Sequence, residues 1–581
     1  MLNQLIHNGI LVPEIPLPSR LEITIQGERR ELSPRQMEMA MAWAKKQGTP
    51  YVEDPVFVRN FLQDFSAALS INPPLTVAEA DFGPAIRIVE TERAARKALT
   101  REERKALAAE RKARREELKE EYGYAIVDGE RVELGNYLAE PSSIFMGRGK
   151  HPLRGRWKEG PQQSEVTLNL SPDAPHPPGE WAEIVWQPES LWVARWKDKL
   201  SGKLKYVWLS DTAPVKQERE AAKFDQAVTL NENLAQVRAH IERDLTDSNA
   251  KRRMVATACY LIDALCLRVG DEKDPDEADT VGATTLRPEH ITLHPDGTAE
   301  FRFLGKDSVL WHKKIPLHPV VRQNLEELIQ EARPSNSMGN GKSHPTRDKP
   351  QIFPRIGSSD VNAYLSEVLP GLTAKVFRTH HATQVVRESL AASGIEASDL
   401  EYKKWGAISQ ANIEAAVLCN HYKKGPANWQ ERRQRARERQ EKVKERVARY
   451  RTQVRETRDA LKVLRREGRE KRKAAKTDTQ RDRVRERYAK KLERAEKRIE
   501  TAKGRLERAL VAQGKARTKD DIAAQKRTWN LGTSLKSYID PRVVYQWGQE
   551  VDYDVLERYY PKALRRKFGW VRDQEPAEDS H

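Results

Sequence analysis

The most constraining feature of this sequence is a long segment between Pro426 and Pro541 that contains no proline and is rich in arginine, lysine and glutamate. Two series of apolar residues recur within it at heptad spacing: Val443, Val447, Tyr450, Val454, Leu461 and Leu464, then Val484, Tyr488, Ala495, Ile499, Ala502, Leu506 and Ala509. A polar stretch with Gly468 separates the two series. We therefore predict an antiparallel coiled coil over 429–515, with arms of roughly 35–40 residues that reach about 50–60 Å.

The length and the charge of the chain limit its class. At 581 residues it is too long for one hydrophobic core, so two to four domains are expected. The formal net charge of +17 favours a polyanionic partner, nucleic acid first, although a basic solvated surface would carry the same charge. Thirteen tryptophans argue against a disordered basic chain, because side chains of that size need cores.

The pattern of segments predicts an α+β multidomain fold. Residues 1–210 alternate short strand-like runs with helical stretches, which indicates a mixed α/β domain. Residues 211–428 are mainly helical, and the last segment, 516–581, is short and mostly helical. Apolar residues at helical spacing predict one helix that Gly270 ends; they are Val255, Cys259, Ile262, Cys266 and Val269.

A β-hairpin is predicted inside the second segment. Phe301 and Phe303 alternate with polar residues along the first strand, and Val309 and Trp311 lie on the second strand, which pairs with it. This arrangement places Lys306 at the tip of the hairpin.

Several classes of site are disfavoured by the sequence. Cys259, Cys266 and Cys419 form no CxxC pair, so neither a disulfide framework nor a zinc site is expected, and the compartment is expected to be reducing. The first residues lack the pattern of a signal peptide, and no apolar run is long enough to span a membrane. No GxxxxGK[ST] loop is present, so ATP or another nucleotide is not implied.

Five residues whose side chains are suited to cleaving a phosphodiester without a metal lie after the first segment: Arg268, Lys306, Arg378, His421 and Tyr538. Guanidinium groups can neutralise non-bridging oxygens, a lysine can protonate a leaving alkoxide, and a tyrosine can form a covalent ester. Taken one at a time, each residue has an ordinary structural interpretation. These are a surface arginine, a solubilising lysine, a buried histidine and a packed tyrosine.

The contexts of these residues resemble the motifs of type IB DNA topoisomerases, in the eukaryotic-like branch. The motifs occur in the order CLRVGDEK, EFRFLGKDS, KVFRTHHAT, LCNHYKK and LGTSLKSYIDPR. The N-terminal half is also similar to that family's DNA-clamping cap, through LSPRQMEMAMAWAKK, FVRNFLQDF and FMGRGKHPLRGR. The resemblance implies a cap at 1–210, a catalytic core at 211–428, a coiled-coil linker at 429–515 and a C-terminal domain at 516–581.

The resemblance also implies a role for each site residue. Tyr538 would be the nucleophile that joins a DNA 3′-phosphate, and Lys306 would be the general acid. Arg268, Arg378 and His421 would bind the non-bridging oxygens. Further DNA contacts are implied for six residues: Arg148, Lys150, Asp307, Lys375, Thr379 and Ser537.

The implied activity is the relaxation of positive and negative supercoils in double-stranded DNA by a monomer closed around the duplex, with no cofactor, metal or ATP. Nuclear members of the family have asparagine where this chain has Ser537 and arginine where it has Met146. The chain also lacks their long basic N-terminal tail. We therefore expect a prokaryotic, archaeal enzyme of the cytoplasm or nucleoid rather than a nuclear one.

Two other functions remain open. A tyrosine recombinase uses the same chemistry, but recombinases usually have histidine three residues before the second arginine, where this chain has Lys375. A catalytically inactive DNA-binding relative is the second alternative. Relaxation alone, strand exchange, or binding without either would separate the three functions.

Overall fold

The computed structural model describes residues 1–271, 279–332 and 350–573, and the chain divides into two compact units. The first unit contains Met1–Val376 together with Arg566–Trp570. The second unit contains Phe377–Arg565 and, among the described residues that follow, Val571–Asp573. Helices and several small sheets make the protein an α+β multidomain chain, as predicted. The division into four domains stays a prediction, and its last segment ends outside the described residues.

Five small sheets and eight helices lie in the described part of the first unit, and a ninth helix begins there. The strands are β1 (Leu5–His7), β2 (Glu22–Ile25), β3 (Glu28–Glu31), β4 (Ala80–Asp81), β5 (Tyr124–Val127), β6 (Glu130–Glu133), β7 (Ser143–Ile144), β8 (Trp157–Lys158), β9 (Thr167–Asn169), β10 (Glu183–Val185), β11 (Trp192–Lys197), β12 (Leu204–Trp208), β13 (Ile291–Leu293), β14 (Thr298–Gly305) and β15 (Val309–Pro316). The helices are α1 (Pro34–Ala44), α2 (Pro55–Ala68), α3 (Gly83–Ala98), α4 (Arg101–Tyr122), α5 (Pro214–Asp244), α6 (Ala250–Leu265), α7 (Pro319–Ala332), α8 (Ser358–Val368) and α9 (Ala374–Ala391).

The N-terminal part of the first unit has two hydrophobic cores. In one, α1, α2 and α3 pack with the β3-β2-β4 sheet around stacked aromatic rings, and Trp43 lies 4.5 Å from Phe61. The other core is formed by buried apolar residues of the β1-β5-β6 sheet and of the β10-β9-β11-β12 sheet. Asp54 accepts hydrogen bonds from the first backbone N–H groups of α2, and it also pairs with Arg154. The cap of one helix therefore anchors the loop that precedes β8.

The predicted hairpin is confirmed. β14 pairs with β15 in antiparallel register, with Phe303 opposite Trp311, and the turn between them is Lys306–Ser308. Phe303 and Trp311 are both buried and their rings stack. Burial of this face, with the other face exposed, explains why the alternation in the sequence predicts the register.

The predicted end of α6 is wrong. The helix ends at Leu265, and Cys266 adopts a left-handed conformation with φ of 53°. Gly270 lies in an irregular segment, where a Cβ would come 2.7 Å from the Cα of Gly282. The chain leaves the helix early because the segment after it hydrogen-bonds with residues 283 and 284: the Arg268 and Val269 carbonyls accept from the Ala283 and Thr284 N–H groups. Gly270 is therefore needed because the two backbones approach closely here, and it does not end the helix.

The second unit consists of helices in its described residues. They are the end of α9, then α10 (Glu401–Leu418), α11 (Trp429–Ala474), α12 (Asp478–Gln525), α13 (Leu531–Ser537), α14 (Pro541–Glu550), α15 (Val555–Arg558) and α16 (Lys562–Lys567), whose last residues belong to the first unit.

Helices α11 and α12 form the predicted antiparallel pair. Gln440 bonds to Asp520 near one end, and Arg465 pairs with Glu496 nearer the other end. Every predicted apolar seam residue is buried or half-buried. Both arms are longer than predicted, at 46 and 48 residues, and α12 continues ten residues beyond 515. Gly514 lies at that boundary, but α12 continues through it, and no proline follows that would end the helix there.

In the parts of the chain that the structure describes, no helix combines the length and the apolar character that crossing a membrane requires.

Candidate active site

Tyr538 lies directly after the short helix α13, and backbone hydrogen bonds hold it there. Its N–H donates to the Ser534 carbonyl at 2.9 Å, and its carbonyl accepts from the Thr383 hydroxyl at 3.2 Å. The Thr383 hydroxyl also accepts from the Asp540 N–H at 3.0 Å. One threonine of α9 thus bonds to the backbone at Tyr538 and two residues beyond it. The tyrosine side chain is buried, with only 4% of the residue exposed.

Arg378 projects from the first half of α9 onto the same tyrosine. Its guanidinium carbon lies 4.9 Å from the centre of the Tyr538 ring. Its Nη2 atom donates to the Cys419 carbonyl at 2.9 Å and approaches Nε2 of His421 at 3.4 Å. Because the arginine is buried, its charge is poorly screened by water and acts strongly on its neighbours.

His421 follows α10 and completes this cluster. Its backbone N–H donates to the Ala416 carbonyl at 2.8 Å, and its backbone carbonyl accepts from the Asn530 N–H at 2.7 Å. The imidazole lies 5.1 Å from the ring of Tyr538, and Nδ1 is 2.7 Å from the Ser534 hydroxyl. Arg378, His421 and Tyr538, three of the five predicted catalytic residues, therefore form one buried cluster in the second unit.

The other two predicted catalytic residues belong to the first unit. Lys306 is exposed at the tip of the β14–β15 hairpin, as the alternation of its flanking residues predicts. Arg268 is half-buried in the segment after α6, where its carbonyl accepts from the Ala283 N–H at 2.8 Å. This arginine is therefore positioned by a backbone hydrogen bond to a second segment, and not by the end of a helix.

The hairpin tip meets the loop between β7 and β8 within the first unit. Arg148 forms an ion pair with Asp307, and a Cβ at Gly149 would overlap Ser308. Gly149 has a φ of +60°, so the loop needs glycine both for its conformation and for this approach. Lys150 beside it is exposed. A cavity of about 680 Å³ lies between loop and tip, and it is lined by residues that include Met146, Arg148, Lys158, Lys306 and Asp307.

Three residues predicted to contact DNA lie close in sequence to the buried cluster. Lys375 is exposed, and Ser537 is half-buried. Thr379 is only 1% exposed, and its hydroxyl has no hydrogen-bond partner among the described residues. A side chain this enclosed is not presented to a duplex in this conformation, because α9 turns it toward the protein interior.

Sequence reasoning missed Ser534 and Thr383. Ser534 precedes Tyr538 by four residues, which places the two on one face of a helical turn, and that spacing was the available signal. Thr383 follows Arg378 by five residues, and no local pattern marks it.

Two other tyrosines of the second unit, Tyr559 and Tyr560, have raised pKa values. Burial raises the pKa of Tyr559, although hydrogen bonds with Asn412 and Ser409 partly oppose the effect. Burial also raises the pKa of Tyr560 well above its usual value, with a smaller effect of Asp540 in the same direction.

Among the described residues, no group of three or more histidine, cysteine or acidic side chains is arranged to hold a metal ion.

Three family profiles match most of the chain. Residues 2–209 match "Eukaryotic DNA topoisomerase I, DNA binding fragment", residues 212–454 match "Eukaryotic DNA topoisomerase I, catalytic core", and residues 512–579 match "C-terminal topoisomerase domain". These matches define the class as DNA topoisomerases. The chain belongs to the eukaryotic-like DNA topoisomerase I family, the type IB topoisomerases.

Individual relatives support the same assignment. The chain is 31% identical to "DNA topoisomerase 1 beta" of Arabidopsis thaliana over 98% of its own length, and 33% identical to "DNA topoisomerase 1" of Candidozyma auris over 71%. It is 32% identical to "DNA topoisomerase I, mitochondrial" of Homo sapiens over 74% of its length and 70% of that relative. The alignments span 58% of the Arabidopsis protein and 54% of the Candidozyma protein. These relatives are eukaryotic, which weighs against the prokaryotic compartment expected from the sequence.

Proposed function

We propose that this protein relaxes positive and negative supercoils in double-stranded DNA by cutting one strand, letting it rotate and resealing it. The observation that carries this proposal is the cluster in which the guanidinium of Arg378 lies over Tyr538 with His421 alongside. A tyrosine next to a buried cation and an imidazole is suited to attack a phosphodiester. Family membership supports the substrate, because one matching profile is a DNA binding fragment.

The proposed reaction exchanges one phosphoester for another. The Tyr538 oxygen bonds to phosphorus, the bond between phosphorus and O5′ breaks, and a 3′-phosphotyrosyl ester forms. Lys306 donates the proton that O5′ requires, and the tyrosine proton passes to water. Resealing reverses these steps. Because the ester stores the energy of the broken bond, the cycle requires no ATP.

Arg268, Arg378 and His421 have a shared role in this proposal. As phosphorus becomes pentacoordinate, negative charge grows on the non-bridging oxygens, and donors already in place stabilise it at no cost in reorganisation. The Arg378 guanidinium is oriented in advance by the Cys419 carbonyl. The reaction as written requires no metal ion, which the experiment below tests directly.

The proposed DNA clamp uses the contact between the loop at Arg148 and the hairpin tip at Asp307. Residues 1–210 act as the cap, 211–428 as the catalytic core, 429–515 as the linker and 516–581 as the C-terminal domain. Six residues would contact the duplex: Arg148, Lys150, Asp307, Lys375, Thr379 and Ser537. Contact by Thr379 requires a conformation that exposes it. A closed clamp functions as a monomer, and its affinity should fall steeply with salt because phosphate contacts dominate.

The test is plasmid relaxation in EDTA without ATP, on negatively and on positively supercoiled DNA. Wild type and Tyr545→Phe should relax both, whereas Tyr538→Phe should bind the plasmid and relax neither. Tyr545 is a matched control because it is a half-buried tyrosine of the neighbouring helix α14. Binding without relaxation by the wild type would reject the proposal in favour of an inactive DNA-binding protein. Exchange of strands between two duplexes would favour a recombinase.

A further inference from the structure

Ser534 is bonded to both His421 and the backbone at Tyr538. Its carbonyl accepts from the N–H groups of Tyr538 and Ile539, at 2.9 and 3.1 Å. Its hydroxyl lies 2.7 Å from Nδ1 of His421. The residue is fully buried, so water does not compete for the hydroxyl. Its side chain and its main chain thus hold different members of the site.

The partners of His421 determine which ring nitrogen carries the proton. A guanidinium can only donate, so at the contact with Arg378 the Nε2 atom presents its lone pair. The proton of the neutral ring then lies on Nδ1 and is donated to the Ser534 oxygen. A phosphate oxygen is an acceptor, so His421 can bind one through Nε2 only after that atom has also gained a proton.

We propose that Ser534 is a positioning residue for His421, holding the Nδ1–H side of the imidazole so that Nε2 takes up a proton and donates it in a hydrogen bond to the phosphate. The proton comes from water as the phosphate anion enters, and the ring becomes an imidazolium. The Ser534 hydroxyl accepts from Nδ1–H before and after this change, and it accepts more strongly from the charged ring. This inference rests on the proposed function, since it names a residue that supports the same site.

Arg378 and Tyr538, both ionisable, face the imidazole from α9 and from the segment after α13. Arg378 opposes a second positive charge on the ring, so the proton uptake depends on the phosphate anion and on Ser534. Without the serine hydroxyl, the imidazolium should form less readily. The high-pH limb of the cleavage profile should then move to lower pH.

The experiment measures single-turnover cleavage of a supercoiled plasmid, with the full-length protein in excess and covalent complexes trapped by SDS at timed intervals. Ser534→Ala removes the hydroxyl but keeps both backbone bonds to Tyr538 and Ile539. It should lower the cleavage rate about tenfold, the usual effect of losing one buried hydrogen bond, and leave the plasmid affinity unchanged. Ser534→Thr, which keeps the hydroxyl, should recover part of the rate.

The matched control is Ser409→Ala, because Ser409 is another buried serine whose hydroxyl bonds to a tyrosine, Tyr559. A general loss of packing would slow both alanine variants equally, whereas a role through His421 slows only Ser534→Ala. Thermal unfolding of each variant checks that it folds. If Ser534→Ala were misfolded, the rate and pH profile of Ser534→Thr would still decide the matter.

A double mutant isolates the coupling to His421. Adding Ser534→Ala to His421→Ala should cause no further loss, because the residue acts through the imidazole. Losses that multiply, or a pH profile identical to that of wild type, would overturn the inference. A wild-type protein that cleaves no plasmid would reject the proposed function itself, which is a separate result.

Discussion

The guanidinium of Arg378 lies over the face of the Tyr538 ring, 4.9 Å from its centre, and both residues are only 4% exposed. A cation over an aromatic face is attracted to it, and the attraction grows when water is excluded. The contact holds the proposed nucleophile and the proposed charge-stabilising group together before DNA arrives. Four site residues already have defined partners in this state: Thr383, Arg378, His421 and Ser534.

The first prediction concerns the shape of the cation at position 378. Arg378→Lys should lower single-turnover cleavage by about 10²–10³-fold, the usual cost of losing a preorganised donor to a developing charge. Lysine keeps the charge but cannot donate to the Cys419 carbonyl and to a phosphate in the forked geometry of arginine. The matched control is Arg387→Lys, which makes the same change at an exposed residue of the same helix. Equal rates for the two variants would contradict the role of Arg378.

The second prediction tests proton delivery by Lys306. Lys306→Ala should slow cleavage by about 10²–10⁴-fold on ordinary DNA, as loss of a general acid does. A substrate with sulfur in place of O5′ should restore most of the rate, because a thiolate leaves without protonation. Lys314→Ala, on the same hairpin and paired with Asp296, is the matched control. A Lys306→Ala defect that persists on the sulfur substrate would indicate a binding role instead.

The third prediction concerns the ion pair between Arg148 and Asp307. Their side chains are 74% and 44% exposed, so the pair should contribute at most about 1 kcal/mol. Arg148→Asp or Asp307→Arg should therefore speed release of a closed circular plasmid by a few-fold at low salt. The double exchange should restore slow release, and high salt should remove the difference. Release is measured in the presence of a competitor plasmid. A double exchange that releases the first plasmid as fast as the single variants do would contradict this prediction.

The fourth prediction is a loss of stability in acid caused by His7. Its Nε2 atom lies 2.9 Å from the Asn169 carbonyl and its Nδ1 atom accepts from the Gly9 N–H, so the buried ring is neutral. Burial lowers the pKa of His7 to about 4, against a usual value of 6.5. Between these pH values the unfolded chain binds a proton that the folded chain does not. Stability should therefore fall as the pH falls through this window, by an amount on the order of 3 kcal/mol.

Urea unfolding midpoints between pH 7 and pH 4 test this prediction. His7→Gln should be less stable at pH 7 but should lose less stability in acid than wild type. The exposed His176→Gln should follow the wild-type curve. Parallel curves for wild type and His7→Gln would contradict the assignment.

The fifth prediction concerns the paired helices α11 and α12. We expect them to slow rotation of cut DNA by contacting it, so removing them should change the rate of rotation or of resealing. Gln440 faces Asp520, so a deletion of 445–515 closed by a short glycine–serine loop cuts both arms at the same level of the helix pair. Single-molecule rotation rates unchanged by the deletion would contradict a role in rotation.

Features with a local periodic pattern were predictable from the sequence. The seam between α11 and α12 follows heptad spacing, and the hairpin with Lys306 at its tip follows the alternation of Phe303 and Trp311 about the turn. The end of α6 was not predictable, because Cys266 adopts its left-handed conformation where the following segment bonds to residues 283 and 284. A contact distant in sequence overrode the local signal of Gly270.

The sequence by itself determined which residue types the site contains and which segments form helices and strands, because side-chain chemistry and periodic burial are local properties. Only the tertiary structure decided that Arg378, His421 and Tyr538 meet, that Thr383 and Ser534 hold them, and that Thr379 faces inward. Those relations depend on how α9, α10 and α13 pack, and packing is a sum over contacts between residues far apart in the chain. No single motif encodes that sum.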